Sequence, residues 1–426
     1  TGDPVNLFCL PEACMRLLSL AMMVVSLVSG VSVAADREQW VQWRGNARNC
    51  EVSKPVEWPS SLKPEHLKEL YRVPLGPSYS GPIVSADRVF VTETVDKKKE
   101  VTRALDRDTG KELWQVEWEG AMSVPFFAAS NGSWIRATPV YDGRRLYVPG
   151  MLDVLVTLDA ATGKELWRAD FRDMFSTVGQ TFGFVCSPLV DEGFVYVQTS
   201  GGLVKLNCET GELVWRGLKE QGGMMGGAFS SPILATLAGV RQIVVQTRAK
   251  LCGVDLATGA DLWSVAIPSF RDMNILTPTI IGDRIFTSCY GGGALMYEVT
   301  KGDSGLQIAE VWKNKTEAYM SSPVVIDGRI YLHLRNQRFC CLDPANGESL
   351  WRTTPFGKYW SMAVNGKRVL ALDEAGDLIL FEADPAEYKE IDKVHVTDAT
   401  AWAHIAIADG QVFVRALDSL IVYRWQ

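Results

Sequence analysis

The residues able to do chemistry in this 426-residue chain are few and scattered. The histidines His66, His333, His395 and His404 show no metal-ligand spacing. No Gly-x-Ser-x-Gly elbow, Walker loop or His-Glu-x-x-His pair is present. Cys340 and Cys341 are adjacent, which raises a vicinal disulfide, but they run straight into Leu342-Asp343 in strand-like text. Consecutive strand residues point to opposite faces, so two free thiols are expected. The more promising material is a set of short segments rich in aromatics, Met and Gly. They hold Phe126, Phe127, Trp134 and Arg136; Phe182 and Phe184; Met224, Met225 and Phe229; Phe270, Arg271 and Asn274; Tyr319; Tyr359 and Trp360; and Trp402 and His404. If these converge, they line a funnel with apolar walls, in which Arg136, Arg271, Asn274 and His404 are the polar points. Such a lining suits a flat or aromatic ligand, or a peptide segment. The competing reading is that each residue packs only its own loop. The run from Asp96 to Glu100 reads as a solvated hairpin tip.

Composition narrows the class. Apolar residues make up 47% and charged residues 22%, which is globular material. A net charge of −7 argues against a nucleic-acid binder, which needs a basic face. Residues 15–35 read as a secretory signal: Arg16 is a positive start, residues 17–33 are apolar or small, and Val33-Ala34-Ala35 suits a signal peptidase. No later run is long and apolar enough to span a bilayer. The cysteines beyond the leader are odd in number and match no zinc pattern, so buried thiols are expected. The periplasm or cell envelope is the expected compartment.

The elements that must position any site come from a repeat. Asp106, Thr109, Gly110 and Trp114 recur as Asp159, Thr162, Gly163 and Trp167, then as Asn207, Thr210, Gly211 and Trp215, and as Asp255, Thr258, Gly259 and Trp263. A further copy holds Asp343, Asn346, Gly347 and Trp351, and Trp312 ends a degraded one. Successive tryptophans lie 53, 48, 48, 49 and 39 residues apart, and a fixed period of this size means a stacked or radial repeat. In phase with it, apolar strands meet at Asp142-Gly143, Asp327-Gly328, Asn365-Gly366 and Asp409-Gly410, a hairpin signal. Units starting near 80, 137, 186, 230, 276, 321, 359 and 401 each have room for four short strands. This predicts an all-β, eight-bladed propeller of four-stranded antiparallel blades over 68–426, after an N-terminal extension, 36–67. The eighth unit lacks a strand. Residues 68–75, in which Tyr71 stands where the repeats have Trp, should pair with 419–425 and close the ring. Within the motif, Gly supplies a left-handed turn, Asp and Thr bond the turn backbone, and Trp lies between blades with its N–H on a carbonyl. Tyr71 and Trp114, Trp167, Trp215, Trp263, Trp312 and Trp351 are therefore read as structural.

The motif resembles the tryptophan-docking repeat of the pyrroloquinoline quinone (PQQ) propeller superfamily, over residues 68–426. Trp40-Val41-Gln42-Trp43-Arg44-Gly45 resembles the Trp-x-x-Phe-Arg-Gly opening of exported members. The resemblance implies two functions. One is a binding or scaffold module of the cell envelope, like the propeller lipoprotein of the outer-membrane β-barrel assembly machinery, with a protein or small-molecule partner at the loop-rich face. The other is a quinoprotein oxidoreductase holding PQQ with Ca²⁺ in the funnel. A glycan-binding or other small-molecule propeller is a third reading. The calcium ligands of the dehydrogenases cannot be matched in this sequence, and their long insertions are absent. That favours binding over redox chemistry and leaves no metal site assigned. The leader makes a direct prediction: the exported protein, sequenced from its N-terminus, begins at Asp36. A start at any residue before 30 would show the segment to be retained.

Overall fold

The computed structural model describes residues 37–54, 56–223 and 227–426, and the signal-like residues 15–35 lie outside them. Each repeat folds as an antiparallel meander. Its inner strand is short and apolar, as in Leu189–Asp191 and Ala406–Ala408. The middle strands, such as Phe194–Thr199 and Gly202–Asn207, are covered on both faces, which is why they read as near-continuous apolar runs. The outer strand alternates covered and exposed positions, as in Glu112–Glu119. Among the described residues there are eight such four-stranded sheets, arranged as a propeller. The eighth joins Ala406–Ala408, Gln411–Ala416 and Ser419–Trp425 to Leu67–Pro74, with Leu67 opposite Trp425 and Pro74 opposite Ser419.

Antiparallel alternation assigns the connections to faces. Blade-to-blade loops and the hairpins between second and third strands share one face, the loop face. The first-to-second hairpins and the Asp-x-x-Thr-Gly turns share the other. In the turn, Asp159 Oδ1 accepts from Thr162 N at 2.9 Å and Thr162 Oγ1 at 2.7 Å. Against it lies the tryptophan of the preceding blade. Trp114 Nε1 donates to Ala160 O at 3.1 Å, and a Cβ at Gly163 would fall 2.7 Å from the indole. The same contact is made by Trp167 to Cys208 O, Trp215 to Leu256 O, Trp312 to Pro344 O and Trp351 to Asp384 O. At the seam Tyr71 Oη reaches Arg107 O at 2.8 Å.

Trp263 departs from the expectation. Its indole N–H donates to Gln242 Oε1 of its own blade at 2.6 Å. The next blade has no Thr-Gly turn at that place, because its outer hairpin is the long Gly293–Gly302 and Gly305–Asn314 pair. Two smaller corrections concern hairpins. Asn365 pairs with Arg368, so Gly366 and Lys367 form that turn. The 96–100 run is not wholly solvated, since Glu100 is buried with Oε2 2.9 Å from Trp118 Nε1 and Oε1 2.7 Å from Met151 N.

The extension is not an appendage. Residues 38–52 thread the ring and bind the inner strands or the loops just before them. Trp40 and Val84 exchange backbone bonds of 2.8 and 2.9 Å, and Tyr141 N donates to Val41 O. Glu38 and Asp409 bond each other's backbone N–H. Cys50 and Val52 pair with Val364. Arg44 donates to Pro323 O. The Arg48 fork reaches Ser187 O, Pro188 O and Pro232 O. Seven of the eight blades are thus tied to one segment among the described residues. Further on, Leu62 N meets Asp392 Oδ2 at 2.7 Å and Trp425 Nε1 meets Ser61 O at 3.0 Å, which fills the seam.

Two predictions follow from these buried charges. Burial pushes the Glu100 carboxyl up to about 7 from 4.5. Between those values the unfolded chain loses the proton and the folded chain keeps it. Stability therefore falls by about 3 kcal/mol as pH rises from 4.5 to 7 and changes no further above it. Denaturant unfolding at a series of pH values should show Glu100→Gln lacking that part of the slope; identical pH profiles would refute the assignment. Arg48→Met strands three carbonyl acceptors and should cost on the order of 3 kcal/mol. An unchanged urea midpoint would show that the threaded segment carries no stability.

Candidate functional site

The loop face opens into a funnel of about 750 Å³. All eight blade-to-blade connections contribute to it: Tyr79, Phe127, Phe182, Phe229, Phe270, Tyr319, Tyr359 and Trp402 each come from a different one. Their rings form a collar. Phe126, Phe127, Phe182 and Phe229 follow one another at centroid separations of 5.6, 6.2 and 5.7 Å. Arg248 lies over Phe229 and bonds Arg271 O, and Arg271 lies over Phe270. Phe270, Tyr290, Tyr319, Tyr359, Trp402 and Tyr79 continue the circuit at 5.1, 5.4, 6.2, 4.5 and 4.7 Å. Arg136 sits 5.9 Å from the Tyr79 ring, and Tyr79 Oη donates to Asn131 O, which returns the circuit to the Phe126 loop. At the mouth Phe126 is 90%, Phe127 55% and Phe270 48% exposed.

The threaded segment closes the bottom. Trp43 lines the funnel, with the His404 ring edge-on at 5.2 Å and Arg44 5.5 Å from its centroid. Burial, with Arg44 nearby, lowers the His404 pKa to about 3, so this imidazole is neutral at pH 7. Its Nδ1 has no hydrogen-bond partner among the described residues. Charge in the funnel comes from arginine. Burial lowers Arg136 to about 10, opposed only by Tyr79; its Nε donates to Trp134 O and its Nη2 to Gly132 O, which leaves Nη1 for a ligand. Arg248 is 5% exposed, and its Nε has no partner among the described residues. Asp272 and Glu220 act on it only at a distance. The lining contains no carboxylate.

Of the residues singled out from sequence, Arg136, Arg271, Tyr319, Tyr359, Trp360, Trp402 and His404 line the funnel. Trp360 is 3% exposed, and its Nε1 is spent on Asp373 Oδ2. Three others do not line it. Phe184 is buried in the core between the second and third blades, against Phe171. Asn274 is fully buried and braces its own loop, donating to Arg248 O and Ile267 O. Trp134 lies against Gly132 and offers Arg136 only its carbonyl. Met225 lies outside the described residues. Among others, sequence reasoning missed Trp43, Tyr79, Tyr290 and Arg248. Tyr290 and Arg248 sit at second-to-third hairpins, and counting those tips on the same face as the loops would have found them.

The donor set does not suit the calcium and quinone pair of the dehydrogenases. Calcium takes several oxygen ligands, chiefly carboxylates and amides, and this funnel offers no carboxylate. No group of three His, Cys, Asp or Glu among the described residues is placed to hold a metal ion. Cys340 and Cys341 are free thiols in two different core clusters, on opposite faces of their strand.

Comparison with known proteins decides between the relatives. The family model PQQ_2, described as "Outer membrane protein assembly factor BamB", matches residues 97–353. The chain belongs to this family. It is 23% identical to BamB of Yersinia pestis over 346 residues, 79% of this chain and 80% of that protein. It is 22% identical to BamB of Moranella endobia over 349 residues, 78% of this chain and 80% of that protein. Among solved structures, BamB from Moraxella catarrhalis superposes with a TM-score of 0.62 at 14% identity, covering 84% of this chain and 100% of that one. A europium-containing methanol dehydrogenase reaches 0.51 at 12% identity, covering 91% and 98%. At such identities these two show the propeller fold alone. The BamB family, and not the dehydrogenases, is where the sequence match lies.

Proposed function

We propose that this protein is a non-catalytic assembly factor of the cell envelope. It is a propeller scaffold that holds a partner protein of the outer-membrane assembly machinery on its loop face. The observation that carries this reading is the aromatic collar. Exposed apolar rings clustered at the mouth of a concave face mark a binding site. Large aromatics and arginine are also the residue types that dominate protein interfaces. The family match supports an assembly role, since its curated relatives are named outer membrane protein assembly factors. The lack of carboxylates in the funnel weighs against a calcium-quinone enzyme. Export through the leader at 15–35 supplies the compartment.

A photo-crosslinking residue at Phe126 tests this in living cells. The expected adduct is with a protein of the outer-membrane assembly machinery, and the same residue at Leu350, on an outer strand, should give none. Equal adducts at both positions, or none at Phe126, would overturn the proposed face.

A further inference from the structure

The chain as a whole is acidic, with a net charge of −7. Its funnel is the reverse. Arg136, Arg248 and Arg271 line it, Arg44 lies beneath its floor, and no carboxylate faces it. Burying guanidinium groups without acids is unfavourable unless something else compensates. Elsewhere in this fold the buried guanidiniums are paired more fully, and Arg415, which also keeps an unpartnered Nε, reaches Ala416 O, Ser419 O, Gly76 O and Thr92 O through its Nη groups. Arg48 is satisfied by three carbonyls, and Arg107 by Glu38 O, Ser85 O, Ala408 O and Gln411 Oε1. Arg248 is the exception in the funnel, because it is 95% covered, bonds only Arg271 O, and keeps a free Nε–H. Arg271 stacks on Phe270 and bonds no carboxylate among the described residues. Each of these cations is set beside an aromatic ring, so an acid that reaches it also meets a π face.

Resting on the scaffold reading above, we propose that the partner inserts an acidic, aromatic peptide segment into the funnel. Its carboxylates pair with Arg136 and with the neighbouring Arg248 and Arg271, and its aromatic side chains join the collar. The geometry suits an extended segment better than a compact anion. The cations come from two separate connections, Arg136 between the first and second blades and Arg248 in the fourth, with Phe182 and Phe229 between them. Charge complementarity selects the acids and the collar selects the rings. The closed floor at Trp43 keeps the segment within the funnel, so that it cannot pass through the ring.

The test uses the mature chain and labelled ten-residue peptides of alternating Phe and Asp, with Phe/Asn and Phe/Lys versions as controls. Fluorescence anisotropy should show the Asp peptide binding at least tenfold more tightly than the Asn peptide, the Lys peptide binding weakest, and the preference shrinking as salt rises. Arg248→Gln and Arg136→Gln should each weaken the Asp peptide by about tenfold and leave the Asn peptide unchanged, as loss of one charge-assisted pair predicts. Arg271→Gln removes a guanidinium that braces no carbonyl among the described residues. It keeps the test open if either of the other two fails to fold, and a loss for the Asp peptide alone is expected. Equal binding of Asp and Asn peptides, or no effect of any arginine substitution, would overturn the proposal. So would tight binding of a free aromatic carboxylate, such as indole-3-acetate, with no binding of the peptide. The crosslink at Phe126 does not depend on peptide charge, so failure here with a positive crosslink removes the acidic segment and leaves the scaffold reading in place.

Discussion

A ring of eight sheets has no single central core, so its stability rests on the seams between blades. At most of these seams the same contact recurs: an outer-strand aromatic ring lies on the turn glycine of the next blade, and its polar hydrogen meets a carbonyl of that turn. The glycine is required twice over. Its φ is positive, +75° at Gly163, and a Cβ there would strike the indole. Burying one tryptophan in this way gains roughly 4–6 kcal/mol gross, before conformational entropy is subtracted. Repeated around the ring, that contact holds the inner strands in register and so fixes where every loop emerges. The funnel is a consequence of it.

The axis poses the second problem. Six of the eight inner strands are only two or three residues long, which leaves polar backbone facing a channel, and buried backbone groups must be paired. The threaded segment supplies the partners. Arg44 and Arg48 suit this task because a guanidinium presents several donors in a fixed fork, which can bridge carbonyls from neighbouring blades. The left-handed φ of +63° at Arg44 and +58° at Arg48 turns the chain sharply enough to aim both forks within a few residues. The same turn lifts Trp43 toward the loop face. One short segment therefore seals the ring, satisfies its backbone and sets the depth of the site.

Much of this was legible in the sequence because repetition amplifies weak signals. The tryptophan spacing set the period, the hairpin units in phase with it set the blade count, and the Tyr71 copy of the motif pointed to the closing strand, observed as Leu67–Pro74. What did not repeat was harder to read. Trp263 carries the motif, but its partner turn was replaced by a long hairpin in the following blade, and no local pattern in residues 255–263 reports that. Glu100 sits in a run of charges that looks solvated, but Trp118 of its own blade and Met151 of the next one bury it. Phe184 and Asn274 lie in the right loops but turn away from the funnel: Phe184 fills the core between two blades, and Asn274 bonds the backbone of the loops around it. Of the lining residues that were missed, Tyr79 lies in the closing connection, Arg248 and Tyr290 at hairpin tips that carry no motif, and Trp43 in the N-terminal segment. The role of residues 38–52 was the largest gap, since an arginine that bonds main-chain carbonyls has no partner residue to find by sequence.

The funnel's charge bears on what kind of protein this is. A catalytic site in this architecture needs asymmetry, with acids and bases of different pKa set against a reacting atom. Here the charge comes from guanidinium groups, and burial keeps the His404 imidazole neutral at pH 7. What the funnel offers is fixed positive charge, a ring of π faces and a closed floor. Those properties suit binding and orienting a segment held in the funnel. The seam tryptophans make the scaffold rigid, the threaded segment makes the site shallow, and the loops, which alone are free of the repeat, are left to choose the partner.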